Sequence, residues 1–177
     1  MLIFNAEVLG VFPAREIRSN RSHPPCIEYS KAKTIGITEL EGAKLLVKKA
    51  FEIIAYFNPK FWWVENTRSG LLKEREVVSG FQFLDIDYCQ FSEWGYKKPT
   101  RFWACKIISD RPAVLCDPRK CPNVHRRWDG KRKHYHLLGG PGQRISSTKK
   151  KRIPPAVIDY LLGVSERPKN RRANVWK

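Results

Sequence analysis

Acidic side chains are scarce in this chain: 34 Lys+Arg stand against 17 Asp+Glu in 177 residues, a formal net charge of +17. That imbalance implies a polyanionic partner, nucleic acid above all. Long apolar runs are missing too. None approaches the roughly 20 residues of a spanning helix, and the N-terminal residues lack a signal-peptide pattern, so no membrane partner is expected. Internal repeats are absent, which removes solenoids and propellers. Cysteines are few, at positions 26, 89, 105, 116 and 121. With no secretory pattern they point to a reducing, intracellular setting, where catalysis or metal binding is a more natural use than disulfides.

What is present is the composition of a folded domain, 42% hydrophobic and 12% aromatic, with length for one compact unit. The charge is concentrated. Residues 111–177 hold 18 of the 34 Lys+Arg but 4 of the 17 Asp+Glu, a net of +14 against +3 for the first 110 residues. Leu2 to Val11 reads as a strand, and Arg15 to His23 as a polar basic stretch. Thr38 and Glu41 have capping-box spacing, and Ala43, Leu46, Val47, Ala50, Ile54 and Phe57 recur at helical period until Asn58-Pro59. Phe61 to Val64 reads as a buried strand carrying Glu65-Asn66 at its carboxyl end. Leu71 to Gly80 reads as a turn or short helix. Phe81 to Tyr88 and Arg101 to Ile108 read as further strands, joined by a loop over 91–100. Ile153-Pro154-Pro155 opens a last helix through Leu162, ahead of a loose basic tail. Strand, helix, strand near the start predicts α/β architecture with parallel pairing.

Three groups of residues suggest chemistry. Cys26 follows Pro24-Pro25, a rigid turn that suits a nucleophile, with Lys31 and Lys33 nearby to favour thiolate; an isolated cysteine is otherwise a small core residue. Glu65 comes after four bulky apolar residues, where an acid has no packing reason to be, unless it pairs with Arg68 or Lys73. Arg101 follows the cationic loop that contains Lys97 and Lys98, placed to meet an anionic substrate or to serve as an ordinary surface arginine.

Taken in order, the Pro-Pro-Cys turn, the Glu-Asn strand end, the Gly-containing loop into Arg101-Phe102-Trp103 and the closing Ile-Pro-Pro helix resemble the cytosine carbon-5 DNA methyltransferases, phage- and mobile-element-type members especially. The resemblance implies a partial Rossmann-like parallel sheet of class I methyltransferase type over residues 1–108. It also implies a short basic recognition insert over 109–152, a closing helix over 153–163 and a tail over 164–177. It implies Cys26 as nucleophile at cytosine carbon 6, Glu65 as hydrogen-bond partner of the exocyclic amine and ring nitrogen 3, and Arg101 as a holder of the base or its phosphate. Pro24, Pro25, Asn66, Lys97 and Lys98 would border the substrate. The family's Glu-Asn-Val is here Glu65-Asn66-Thr67, and its Gln-x-Arg-x-Arg is Lys97-x-Pro99-x-Arg101. The stretch from Glu16 to His23 is more polar than a central parallel strand. Only 25 residues precede Cys26, too few for the Gly-rich βαβ segment with which the family binds S-adenosylmethionine. The expectation is therefore a C-terminal catalytic portion, a fragment or split form whose cofactor-binding half sits on a second polypeptide, or a remnant.

The insert contains Cys116, Cys121 and His125, with His134 and His136 close by. Two thiols and two imidazoles make tetrahedral zinc a candidate, Cys116, Cys121, His125 and His136 being the expected set, although Cys-x4-Cys-x3-His is not a standard finger spacing. Lys149, Lys150, Lys151 and Arg152 are expected on backbone phosphates. Two other functions compete with DNA cytosine methylation: a non-catalytic basic DNA-binding module derived from such an enzyme, and a zinc-dependent RNA-binding ribbon, which would leave Pro-Pro-Cys unexplained.

Overall fold

A computed structural model describes residues 19–22 (backbone), 28–29, 40–94, 96–134 and 152–165. Its centre is a four-stranded sheet. In chain order the elements are β1 (Ser19–Ser22), α1 (Leu40–Phe57), β2 (Phe61–Thr67), β3 (Phe83–Asp87), β4 (Pro99–Ala104), α2 (Lys106–Ser109), β5 (Val124–Arg126), β6 (Arg132–His134) and α3 (Pro155–Leu162). The sheet order is β1-β2-β4-β3, and β5-β6 form a separate hairpin.

The expected all-parallel sheet is corrected here. β1 pairs with β2 in parallel, whereas β4 is antiparallel to both β2 and β3. The connections explain the difference. Between β1 and β2 lies α1, a crossover long enough for parallel pairing; between β3 and β4 lies only a short loop with one 3-10 turn, which permits antiparallel return alone. β1, β2 and β3 consequently run in one direction, and their carboxyl ends open on the same edge as the amino end of β4. Polar β1 has a partner on one side only among the described residues, which accommodates a sequence unsuited to a central strand.

Two apolar layers cover the sheet, as alternation along its strands demands. Trp63, Leu84, Ile86, Phe102 and Ala104 face α3 residues Val157, Tyr160 and Leu161. Val64 and Trp103 face α1 residues Ala43, Val47, Phe51 and Ile54. Each completely buried aliphatic of these layers contributes roughly 1.5–3 kcal/mol. The helix periodicity identifies α1 correctly, but Leu46 is exposed and Phe51 takes its place in the buried stripe. Asn58 ends the helix with φ 43° and its N–H on the Ile54 carbonyl. Gly163 ends α3 at φ 78°, with Val164 donating to the Asp159 carbonyl.

Strand limits differ from expectation: β3 spans Phe83–Asp87 within the expected Phe81 to Tyr88, and β4 begins at Pro99, before Arg101. β2 continues through Glu65, Asn66 and Thr67, because β4 pairs with all three. β4 stops at Ala104, and Ile107 and Ile108 belong to the helical turn α2 instead.

Candidate functional site

The edge where β1, β2 and β3 end collects the buried charge of the described residues, Glu65, Asp87 and Lys98. Glu65 and Asn66, consecutive in β2, are completely buried and point to opposite faces. Glu65 pairs across the sheet with Phe102, on the α3 face. Its Oε1 lies 3.2 Å from the Lys98 ammonium and 3.5 Å from the Tyr88 hydroxyl, which donates to it. Lys98 is itself only 6% exposed, with its ammonium 4.9 Å above the Tyr88 ring. Burial, then the charge of Glu65, holds the Tyr88 phenol well above its usual range, so it stays a hydrogen-bond donor. The partner of Glu65 is thus Lys98, not Arg68 or Lys73. Arg68 is 3.3 Å from Asp87, the last residue of β3, and Lys97 is 3.2 Å from the same carboxylate.

Arg101 is not brought to Glu65. In the register Asn66↔Arg101↔Asp85 it occupies the other face. There its guanidinium makes a bidentate pair with Asp85 at 2.8 and 2.9 Å and lies 3.6 Å from the Phe83 ring centroid. Asn66 shares that face; its Oδ1 accepts from the Thr67 N–H at 2.8 Å, and its buried Nδ2 finds no partner among the described residues. Period-two alternation from Glu65 and Phe102 would have separated Arg101 from Glu65 once the pairing was known, and would have favoured Lys98.

Cys26, Pro24 and Pro25 lie outside the described residues. The chain on both sides of them is anchored at this edge. Ser22, the last residue of β1, pairs with Val64, and the Tyr29 carbonyl accepts the Leu71 N–H at 2.8 Å. Gly70 permits that second contact: a Cβ there would stand 2.9 Å from Thr67 Oγ1 and 3.1 Å from the Tyr29 carbonyl oxygen.

A second cluster forms beside the end of β3. Val114 bridges to Ile86 and exchanges backbone hydrogen bonds with Asp85 and Asp87, and the Cys116 N–H donates to Asp87 Oδ2 at 2.8 Å. This delivers Cys116 and Cys121 to His134, whose Nε2 is 3.5 and 3.6 Å from their sulfurs, and to Cys89. The four ligand atoms lie within 4.8 Å of one another, a group that could hold a metal ion. Burial, with the neighbouring thiols, pushes the Cys89 thiol far up; burial is also the main cause that raises the Cys116 thiol to about 11. Burial and then the charge of Lys97 lower His134.

The described cluster differs from the expected ligand set at His125. His125 pairs with Lys133 while Val124 pairs with His134, so His125 faces away from the cluster; His136 lies outside the described residues. Cys89, 27 positions before Cys116, is the member of the cluster that local spacing could not reveal. Lys149, Lys150 and Lys151 also lie outside the described residues, and Arg152 is exposed. One feature of the insert carried no motif. Trp128, at the tip of the β5–β6 hairpin, is 92% exposed between Arg126, Arg127, Lys131 and Arg132. The Gly130 N–H donates to the Arg127 carbonyl, and Gly130 takes φ 76°, the turn-plus-bulge form of a three-residue hairpin loop.

No family model matches the chain. The chain is similar to a probable DNA (cytosine-5)-methyltransferase of Frog virus 3 (isolate Goorha), with 34% identity over 156 aligned residues that take in 78% of this chain and 71% of the viral protein. Among the described residues no helix is long and apolar enough to cross a membrane.

Proposed function

The chain belongs to the DNA (cytosine-5)-methyltransferase family, and on that premise we propose that the edge formed by β1, β2 and β3 handles the cytosine during methylation of carbon 5 in DNA. The observation that carries this reading is Glu65. A completely buried carboxylate is costly to fold around, and here it is held against Lys98 and Tyr88 at the edge where β1 ends, four residues before Cys26 in the sequence.

In this reading the cytosine leaves the stack, because its reacting atoms are not open to attack inside a duplex. The Cys26 thiolate forms a bond to carbon 6, and the electron pair of the 5,6 double bond moves to carbon 5. Glu65 accepts from the exocyclic amine, and ring nitrogen 3, taking up a proton from solvent as charge develops there, donates a hydrogen bond to the same carboxylate. Lys98 holds the carboxylate in place for that task, and protonated Tyr88 supports it from the α3 side. Arg101 acts as a brace, locking β4 to β3 through Asp85.

The methyl donor of the family is S-adenosylmethionine, which would supply the methyl group. The described residues do not fit it. The described glycine that follows a parallel strand, Gly70, has its open side filled by Thr67 and the Tyr29 carbonyl. No step is therefore assigned through the donor, and a segment outside the described residues or a second polypeptide supplies its cradle. Calorimetry on the isolated chain separates the two sources: no binding of S-adenosylmethionine points to a second polypeptide, and micromolar binding to a segment of this chain.

Methyl incorporation into duplex DNA tests the role of Glu65. Glu65→Gln preserves size, but presents a donor where the cytosine amine needs an acceptor. The expected loss is about 10²–10³-fold in rate, the effect of removing one such preorganised partner. Unchanged incorporation would remove Glu65 from the reaction. A second reading, a basic DNA-binding module without catalysis, draws on the net +14 of residues 111–177; DNA binding with no methyl transfer when the donor is supplied and bound would favour it.

A further inference from the structure

We infer that Cys89, Cys116, Cys121 and His134 form a structural zinc site that clamps the basic β5–β6 hairpin to the carboxyl end of β3. Tetrahedral zinc with Zn–S near 2.3 Å and Zn–N near 2.05 Å sets its sulfur and nitrogen ligands about 3.6 Å apart. The two sulfur-to-Nε2 distances are 3.5 and 3.6 Å. Hydrogen bonding alone does not account for this. A single imidazole nitrogen offers one lone pair or one N–H, which cannot point at both sulfurs at once, whereas a cation among the four atoms engages all of them. Three thiolates and one imidazole are also a donor set that selects zinc over magnesium or calcium.

The ligands come from three segments. Cys89 sits in the 3-10 turn Tyr88–Gln90, directly after the phenol that contacts Glu65. Cys116 and Cys121 flank a turn in which the Asp117 carbonyl accepts from Cys121 at 2.9 Å and the Asp117 carboxylate accepts from Arg119 at 2.8 Å. His134 ends β6. Asn123 ties the insert to the same turn, donating to the Cys89 and Ser92 carbonyls at 2.8 and 2.9 Å.

The insert also has little else to fold around. Between Leu115 and His134 only Cys121 and Asn123 are buried. Two strands of three residues do not hold together in water by themselves. A bound ion supplies what a core of this size cannot. On binding, each thiol loses its proton to solvent and gains a sulfur–zinc bond, so three protons leave per zinc. The resulting site has a net charge of −1 and lies among cations, Lys97 included.

The test is metal content of the purified full chain after zinc reconstitution and desalting, with cobalt substitution as the spectroscopic probe. One equivalent of zinc is expected, and the cobalt form should show the intense visible bands of a tetrahedral site with thiolate charge transfer. Cys89→Ala should weaken zinc binding by more than the about 10–100-fold that loss of a mere supporting partner costs. His134→Cys, which restores four ligands, should keep a full equivalent with a red-shifted cobalt spectrum, and His125→Ala should leave both unchanged. Chelation should open residues 115–134 to protease while the sheet stays folded. Folded wild-type protein that takes up no zinc overturns the site, as does a full equivalent retained by Cys89→Ala, or a loss of zinc in His125→Ala equal to that in Cys89→Ala. Should Cys89→Ala fail to fold, His134→Cys and His125→Ala still decide.

Discussion

The sheet edge and the basic insert are built on opposite terms. Around Glu65 the polar groups are buried inside two apolar layers, so position is set by packing from both sides. In the insert nearly every side chain from Leu115 to His134 is at least partly exposed, and position is set at a few points: Asn123, the Val114 bridge and the cysteine–histidine cluster. A reaction centre gains from the first arrangement because its electrostatics must not relax. A surface that meets phosphates gains from the second, because its cations work in water and need to be presented, not enclosed.

That contrast can be broken most decisively with salt. If residues 111–177 carry the DNA contacts, affinity should fall about 10³–10⁵-fold between 50 and 200 mM salt for six to ten engaged phosphates. Neutralising Lys149, Lys150, Lys151 and Arg152 should flatten the slope and leave sequence preference alone. An unchanged slope would take this cluster off the interface.

The next largest effect belongs to the sheet edge. Lys98→Met leaves the Glu65 carboxylate buried without its ammonium, at a cost of about 3–5 kcal/mol. Adding Glu65→Gln should return most of that loss, because no uncompensated charge then stays inside. Urea denaturation followed by tryptophan fluorescence measures both. Additive losses in the double variant would mean that the two side chains do not interact.

Part of this was legible in the sequence, and the boundary has physical causes. Helix α1 announced itself through its period and its Asn58-Pro59 stop, and β2 through four bulky apolar residues. Glu65 stood out because an acid after Phe61-Trp62-Trp63-Val64 has no packing role. The antiparallel insertion of β4 between β2 and β3 was not legible, since strand order is decided by tertiary pairing. Without that order Arg101 and Lys98 were indistinguishable as cations near one loop, although they end on different faces. The cluster was half legible: Cys116 and Cys121 share a short spacing, but Cys89 joins them only because Val114 docks along β3.

The smallest effect expected separates the two regions again. Trp128→Ala should leave stability within about 0.5 kcal/mol, as for other surface positions. It should nonetheless weaken DNA binding by about 1–3 kcal/mol if the ring stacks on one exposed base. Fluorescence anisotropy and urea denaturation on the same preparation test the pair of outcomes. A loss of stability equal to the loss of affinity would mean that the hairpin tip is structural.

The central claim, that the edge holding Glu65 and Lys98 also presents Cys26 to a cytosine, is tested most directly by covalent trapping. The full chain, with S-adenosylmethionine and any segment or partner needed to bind it, is incubated with duplex DNA carrying 5-fluorocytosine, and adducts surviving denaturation are mapped by mass spectrometry. The account predicts one adduct, attached through Cys26 and abolished in Cys26→Ser. An adduct that persists in Cys26→Ser, or one mapped to Cys89, Cys105, Cys116 or Cys121, would contradict it.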